Sequence, residues 1–450
     1  MPLPPLFRRL WALFYQIYQV FNHNSILLVY TVMPSRHLYI SFDRFPSAKG
    51  AATHIEQFAT ALGQHLPNLD LISLPPQIQE LNSIATNGSA MASDLYVENR
   101  QCWTSSGVNH HSLPADGNHL FERVRHFRTQ LWRWWQDNFG SDRAQTVHFR
   151  SIFEGYPIAR NKKHFCNFIV YEVNGFPSIE LKYHYPAVAD DQALIAKIKR
   201  QEDVCLKSAD AIITVSQVNK RYIQSRGIPE DRIHVIPNGV DLSTFAPPEQ
   251  KQPLPKNNSR PLELLYAGGL TSWQGVGHAI EALALLRRDI DARLTLVGPT
   301  RPRHSKPLVK LAWSLGLMEH VEFLPPVSKP HLAKLHQQTD IVLAPLKLND
   351  RNDVQGCCPL KILEAMACQC RIVSTELEVV RELATHESHA ILVRPNSSKA
   401  IKDGCLDILK NPENSDRIAL LASQHVRNHF DWKQSVRKLK HVYDSLLHAS

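Results

Sequence analysis

The stretch from Gly356 to Ala367, Gly-Cys-Cys-Pro-Leu-Lys-Ile-Leu-Glu-Ala-Met-Ala, gathers residue types that can hold a phosphorylated ligand. It follows an apolar strand pattern and a polar loop, and it opens an apolar helix. Pro359 suits the first helical turn, where its missing N–H leaves nothing unsatisfied. The free N–H groups and the positive end of the helix dipole attract an anion there. Lys361 and Glu364 are three residues apart, so they share one helix face. The ammonium can meet a diphosphate while the carboxylate accepts from two ribose hydroxyls. Leu360, Leu363 and Ala367 read as the buried face. Taken alone, the Lys–Glu pair reads equally well as a solvated pair on a surface helix.

The elements that position this segment alternate strand and helix, the pattern of parallel sheets covered by helices. In the first half, strands are predicted at Leu38–Phe42, Leu69–Ser73, Thr146–Phe149, Asn167–Tyr171 and Ala211–Val215. Helices are predicted over Thr53–Leu66 and Asp190–Lys207, and residues 75–117 read as a loop-rich insertion. After a proline-rich linker at 247–260, strands follow at Leu262–Ala267, Leu294–Val297, Val321–Phe323, Ile341–Pro345 and Arg371–Ser374. The tail Asp431–Leu447 is amphipathic and reads as a helix. The expected architecture is α/β, with two doubly wound domains (36–246 and 261–430) facing a cleft and a C-terminal helix (431–450) crossing back. In such sheets ligands gather outside the carboxyl ends of the strands.

Several ordered motifs agree with this frame. Ser47-Ala-Lys-Gly-Ala-Ala-Thr-His54 looks like a glycine loop after the first strand. Tyr171-Glu-Val-Asn-Gly-Phe-Pro-Ser-Ile-Glu-Leu181 resembles a segment lining an acceptor site. Thr214-Val-Ser216, Ile236-Pro-Asn-Gly-Val-Asp241 and Tyr266-Ala-Gly-Gly-Leu-Thr-Ser-Trp-Gln-Gly275 follow in order. Together with the Gly356 segment, the chain from about residue 38 to 447 resembles the retaining glycosyltransferases of family 4, which have the GT-B fold of two Rossmann-like domains. The resemblance implies transfer of a sugar from a nucleotide-diphosphate donor to a glycan or lipid-linked acceptor, with retention. Donor contacts would come from Gly269, Leu270, Thr271, Gln274, Pro359, Leu360, Lys361 and Glu364. Gly50, Ala51, Ser216 and Asn238 would lie on the acceptor side, with Glu172, His148 and Arg150 as catalytic residues. No cofactor and no metal are implied. The usual first glutamate of the donor motif is Gly356 here. A commonly found Arg and Lys of the glycine turn are Leu270 and Gln274, and a usual helix-ending Gly is Gln369. A catalytically degenerate paralogue that binds sugar nucleotide or glycan is the alternative.

Composition narrows the class further. The 450 residues are 43% apolar and 21% charged, ordinary for globular domains. Lys and Arg number 51 against 42 Asp and Glu, a net charge of +9, but they are scattered, which disfavours a nucleic-acid binder. No Gly-x-Gly-x-x-Gly opens a helix after a strand, which disfavours a dinucleotide oxidoreductase. The eight cysteines show no zinc-ligand or redox spacing, which points to a reducing, cytoplasmic compartment. Residues 1–35 are aromatic and apolar, with Trp11, Phe14, Tyr15 and Tyr18, but no run reaches the ~20 residues that span a bilayer. Two readings stand side by side for them: an interfacial helix on an anionic membrane, or a segment upstream of a translation start at Met33.

Overall fold

The computed structural model describes residues 35–47, 50–76, 106–256 and 259–448. The apolar runs of the first half form seven strands. They are β1 (His37–Arg44), β2 (Leu69–Leu74), β3 (Val108–Ser112), β4 (Ala144–Phe149), β5 (Cys166–Val173), β6 (Ala211–Thr214) and β7 (Ile233–Val235). All pair in parallel, in the order β3-β2-β1-β4-β5-β6-β7. The two-residue period sends Leu38 and Ile40 of β1 to one face and Tyr39 to the other. On the first face lie helices Leu120–Asn138, Ile152–Arg160 and Gln192–Ser208, which bury Phe127, Leu131, Ile158 and Ile198. On the second lies helix Gly50–Gly63, which buries Ile55, Phe58 and Leu62.

The second half repeats the plan with β8 (Leu262–Ala267), β9 (Ala292–Val297), β10 (Val321–Leu324), β11 (Ile341–Ala344), β12 (Arg371–Thr375) and β13 (Ile391–Val393). This six-stranded parallel sheet has the order β10-β9-β8-β11-β12-β13. Residues from Arg36 onward form one compact unit. The irregular segment between the sheets is held by Leu254, which is buried in the second core, and by Lys251, 2.9 Å from Asp416. The C-terminal helix Trp432–His448 packs on the first sheet, where Trp432, Leu439, Val442 and Tyr443 join the core of helix Gly50–Gly63. The Asn-Gly-Val-Asp turn makes that return path possible. A side chain at Gly239 would lie 2.6 Å from the Trp432 backbone, and Val240 N–H donates to Phe430 O at 2.8 Å.

The sequence reading departs from the structure at three edge strands. β3 lies inside the stretch read as a loop-rich insertion, because Val108-Asn-His-His-Ser112 buries few of its side chains and has no apolar pattern. β7 and β13 are three residues each, too short to show a period. The aromatic segment 1–34, Ala48, Lys49 and most of the insertion (77–105) lie outside the described residues.

Candidate functional site

The two sheets meet over a cavity of about 370 Å³ lined by the segments that leave their strands' carboxyl ends. From the first sheet come Gly50 after β1, Arg150 after β4 and Asn174 after β5. From the second come Gly268 and Gly269 after β8, and Gly298 and Pro299 after β9. Helix Leu360–Ala367 supplies Leu360, Lys361 and Glu364 to the same space, with Pro359 as its N-cap. Across the cavity a side chain on Gly50 would stand 3.0 Å from Leu360 Cδ1, so the halves touch closely here. Leu360 is therefore a half-buried wall of the cavity, and the helix's buried face is Ile362, Leu363, Ala365, Met366 and Ala367. The helix ends in a Schellman arrangement. Gln369 is left-handed at φ 57, and Cys370 N–H donates to Ala365 O at 2.9 Å.

Lys361 is buried, and its ammonium donates to Tyr266 Oη at 2.9 Å and Gln274 Oε1 at 2.6 Å. Burial lowers its pKa to about 7, and burial raises the Glu364 carboxyl to about 7 as well. Gln274 thus does not stand empty where a cation is usual: its amide oxygen orients the neighbouring one. Gly268, at φ 139, is what lets the lysine pass, since a Cβ there would lie 3.1 Å from Nζ. Gly269 is less constrained, with only Pro299 O, 3.8 Å away, near its Cβ position.

On the opposite wall one carboxylate organises the polar groups. Glu172 accepts from Tyr39 Oη at 2.7 Å, His148 Nε2 at 3.1 Å, Arg150 Nε at 2.8 Å and Asn174 Nδ2. His54 Nδ1 lies 3.2 Å away, near enough for charge attraction but not aligned for a hydrogen bond. Burial alone would raise the Glu172 pKa, but Arg150 first and His54 next hold it well below the usual carboxylate range. Arg150 also donates to Asp43 at 3.0 Å, and it reaches the cavity.

The structure separates the expected site residues into two groups. Arg150, Gly50, Ala51, Asn238, Gly269, Gln274, Pro359, Leu360, Lys361 and Glu364 line the cavity. The others stand behind its walls. Glu172 is 1% exposed, and both its oxygens accept hydrogen bonds from the groups around it, which it holds in place. His148 is 0% exposed, fixed between Glu172 and Tyr443 Oη at 2.9 Å, with burial lowering its pKa. Neither of these two side chains is part of the cavity lining. Leu270 points into the apolar core of the second sheet, so it cannot contact a donor through its side chain. Thr271 lies outside the lining. Ser216 caps helix Gln217–Ser225 by accepting from Asn219 N–H at 3.1 Å. It also explains Gly356, where a Cβ would lie 2.6 Å from Ser216 Oγ. His54, Asn174, Arg351 and Cys357 line the cavity and were not singled out from sequence. Asn174 was within reach, being two residues past Glu172 and so on the same side of an extended chain. Arg351 had no local signal.

Among the described residues no cluster of His, Cys, Asp or Glu is arranged to hold a metal ion, and the seven described cysteines are free and buried. No described helix is long and apolar enough to cross a membrane.

Two parallel Rossmann-like sheets that meet at their carboxyl ends over a shared cavity define the GT-B fold. Solved structures of that fold superpose along most of the chain. Sucrose-phosphate synthase from Thermosynechococcus elongatus matches with a TM-score of 0.68 and 17% identity, over 92% of this chain and 100% of that one. Anabaena HepE in complex with UDP-glucose matches with a TM-score of 0.66 and 14% identity, over 91% and 100%. The sequence carries the family. Residues 48–244 match the model Glycosyltransferase Family 4, and residues 248–424 match Glycosyl transferases group 1. The two matches account for both halves, and the chain is of the group 1 / family 4 glycosyltransferase family. Curated relatives include an uncharacterized glycosyltransferase of Methanocaldococcus jannaschii, 22% identical over 54% of this chain and 60% of that protein. A D-inositol 3-phosphate glycosyltransferase of Pseudarthrobacter chlorophenolicus is 31% identical over 41% of this chain and 44% of its own. The matches to these two relatives span about half of their length.

Proposed function

We propose that this protein transfers a sugar from a nucleotide-diphosphate donor to an acceptor hydroxyl, with retention of configuration. The observation that carries the reading is Lys361 and Glu364 on one wall of a cavity whose other wall presents Arg150 and Gly50. The diphosphate would lie against Lys361 and the first N–H groups of helix Leu360–Ala367, with Gly268 and Gly269 leaving room for it. Glu364 would accept from the ribose hydroxyls. The anomeric carbon then faces Arg150, Asn174 and His54. As the C–O bond to the diphosphate breaks, the acceptor oxygen bonds the same face and its proton passes to the leaving phosphate oxygen. The products are a glycoside and a nucleoside diphosphate. Preorganised cations that stabilise the leaving group would supply most of the rate, and no metal is needed in this scheme. UDP and UDP-glucose, bound by Anabaena HepE, are the first donors to try. A glycan or lipid-linked acceptor, peripheral membrane attachment and a place in envelope polysaccharide synthesis belong to the same proposal, by analogy.

A panel of nucleotide sugars in a thermal-shift assay tests it, since a ligand that binds only the folded state raises the Tm. Glu364→Ala should weaken the responding donor by about tenfold to a hundredfold, the worth of a charge-assisted hydrogen bond. Unchanged affinity in a folded variant would overturn the donor site. The second reading, a binder without turnover, is favoured by the core-facing Leu270 and the neutral Gln274. Release of nucleoside diphosphate on incubation with the donor separates the two.

A further inference from the structure

We propose that the outer helical layer of the first sheet is a docking face for an anionic lipid surface, independent of the sugar-transfer chemistry. Helix Leu120–Asn138 turns Val124, Phe127, Leu131 and Trp135 inward. It leaves Phe121 and Trp132 at 44% and 47% exposure. These two flank a groove of about 670 Å³ whose far wall is Ile152, Phe153 and Leu194, rimmed by Arg125 and Lys197. Trp132 also borders a second concavity of about 720 Å³, lined by Arg160, Lys163, His164 and Lys207. The only acid in either lining is Asp210, and Lys162 holds it at 2.5 Å. Arg125, Lys197, Arg160, Lys163 and Lys207 pair with no carboxylate among the described residues.

Charge and apolarity together select the occupant. An apolar trench with exposed aromatics gains free energy in the acyl boundary, and the basic rim lies at the level of headgroup phosphates. A nucleic acid would use the cations and leave the trench wet. The placement suits a transferase with a membrane-borne acceptor. Ile152 begins the groove two residues after Arg150, which lines the central cavity, so the face runs from the cavity rim toward the amino ends of β5 and β6.

The test is cosedimentation of the full chain, without nucleotide, on vesicles of phosphatidylcholine alone or with about one-third phosphatidylglycerol. Binding should need the anionic lipid and weaken with salt. Arg125→Glu with Lys197→Glu should lower vesicle affinity by at least ~25-fold, at about fivefold per charge. Phe121→Ser with Trp132→Ser should lower it by at least ~10-fold, from the apolar area withdrawn. Lys163→Ala with Lys207→Ala, changes at two exposed residues, guards against misfolding in the groove variants and should itself cost about 25-fold. Wild-type binding that is absent, or equal on neutral vesicles, overturns the proposal. So does undiminished binding of all three variants, which would assign attachment to residues 1–34. Because no donor is present, failure here leaves the donor reading standing, and the converse also holds.

Discussion

Lys361 should take up a proton when the donor binds. Burial holds its ammonium at a pKa of about 7 against an ordinary 10.5, a bias of roughly 5 kcal/mol toward the neutral amine. Its hydrogen-bond partners, Tyr266 and Gln274, are both uncharged. A phosphate charge brought to ~4 Å contributes roughly 4 kcal/mol at an effective dielectric of 20, which returns the pKa to about 10. About half a proton is then taken up at pH 7, and close to a whole one at pH 8.5. Affinity should fall by up to tenfold per pH unit above about 7. Glu364 titrates in the same window, so the measurement belongs in a Glu364→Gln background. Calorimetry of UDP binding at pH 8, in two buffers of different ionisation enthalpy, reads the uptake directly. It should persist in Glu364→Gln and vanish when Lys361→Met is added. A pH-independent affinity with no buffer dependence would refute the reasoning. Folding carries the opposite sign. Between about 7 and 10.5 the unfolded chain binds the extra proton, so stability rises with pH there, and Lys361→Met should be the more stable protein below pH 7.

Three further expectations follow from the same geometry. Glu172→Gln leaves buried Arg150 with Asp43, 3.0 Å away, as its one remaining carboxylate partner, and should cost about 3 kcal/mol in urea unfolding, the low end for a broken buried pair. In the wild type that contribution is fully present above the unfolded Glu pKa and is lost as pH falls toward the depressed folded value. A loss under 1 kcal/mol would mean the carboxylate is not the hub described. Gly356→Glu, which restores the family's usual residue, should destabilise rather than activate. At φ 82 and ψ 166 the backbone is suited to glycine, a strain of roughly 1–3 kcal/mol for other residues. A stable, faster variant would contradict this. Gln369→Gly relieves the left-handed helix end and should raise stability by up to about 1 kcal/mol. An unchanged Tm would show that the strain is absorbed elsewhere.

What was legible in the sequence follows from what is local. Apolar runs such as Leu262–Ala267 announced the central strands, and Pro359, Lys361 and Glu364 announced the helix that lines the cavity, because a helix turn brings i and i+3 together. The edge strands β3, β7 and β13 were hidden, since a half-exposed or three-residue strand has no period to read. The role of Glu172 was hidden for a different reason. Its partners come from three places in the chain (Tyr39 in β1, His54 in helix Gly50–Gly63, His148 and Arg150 at the end of β4), and only the topology of the sheet and that helix gathers them. Leu270 shows the limit of motif alignment. It occupies a position where relatives commonly present a cation, but here the side chain is buried in the apolar core of the second sheet.

A crystal structure with UDP tests the central claim most directly. The diphosphate should lie within about 3 Å of Lys361 Nζ and of the first N–H groups of helix Leu360–Ala367, and the ribose hydroxyls should face Glu364. Nucleotide bound elsewhere on the molecule, or none at saturating concentration with this cavity open to solvent, would contradict it.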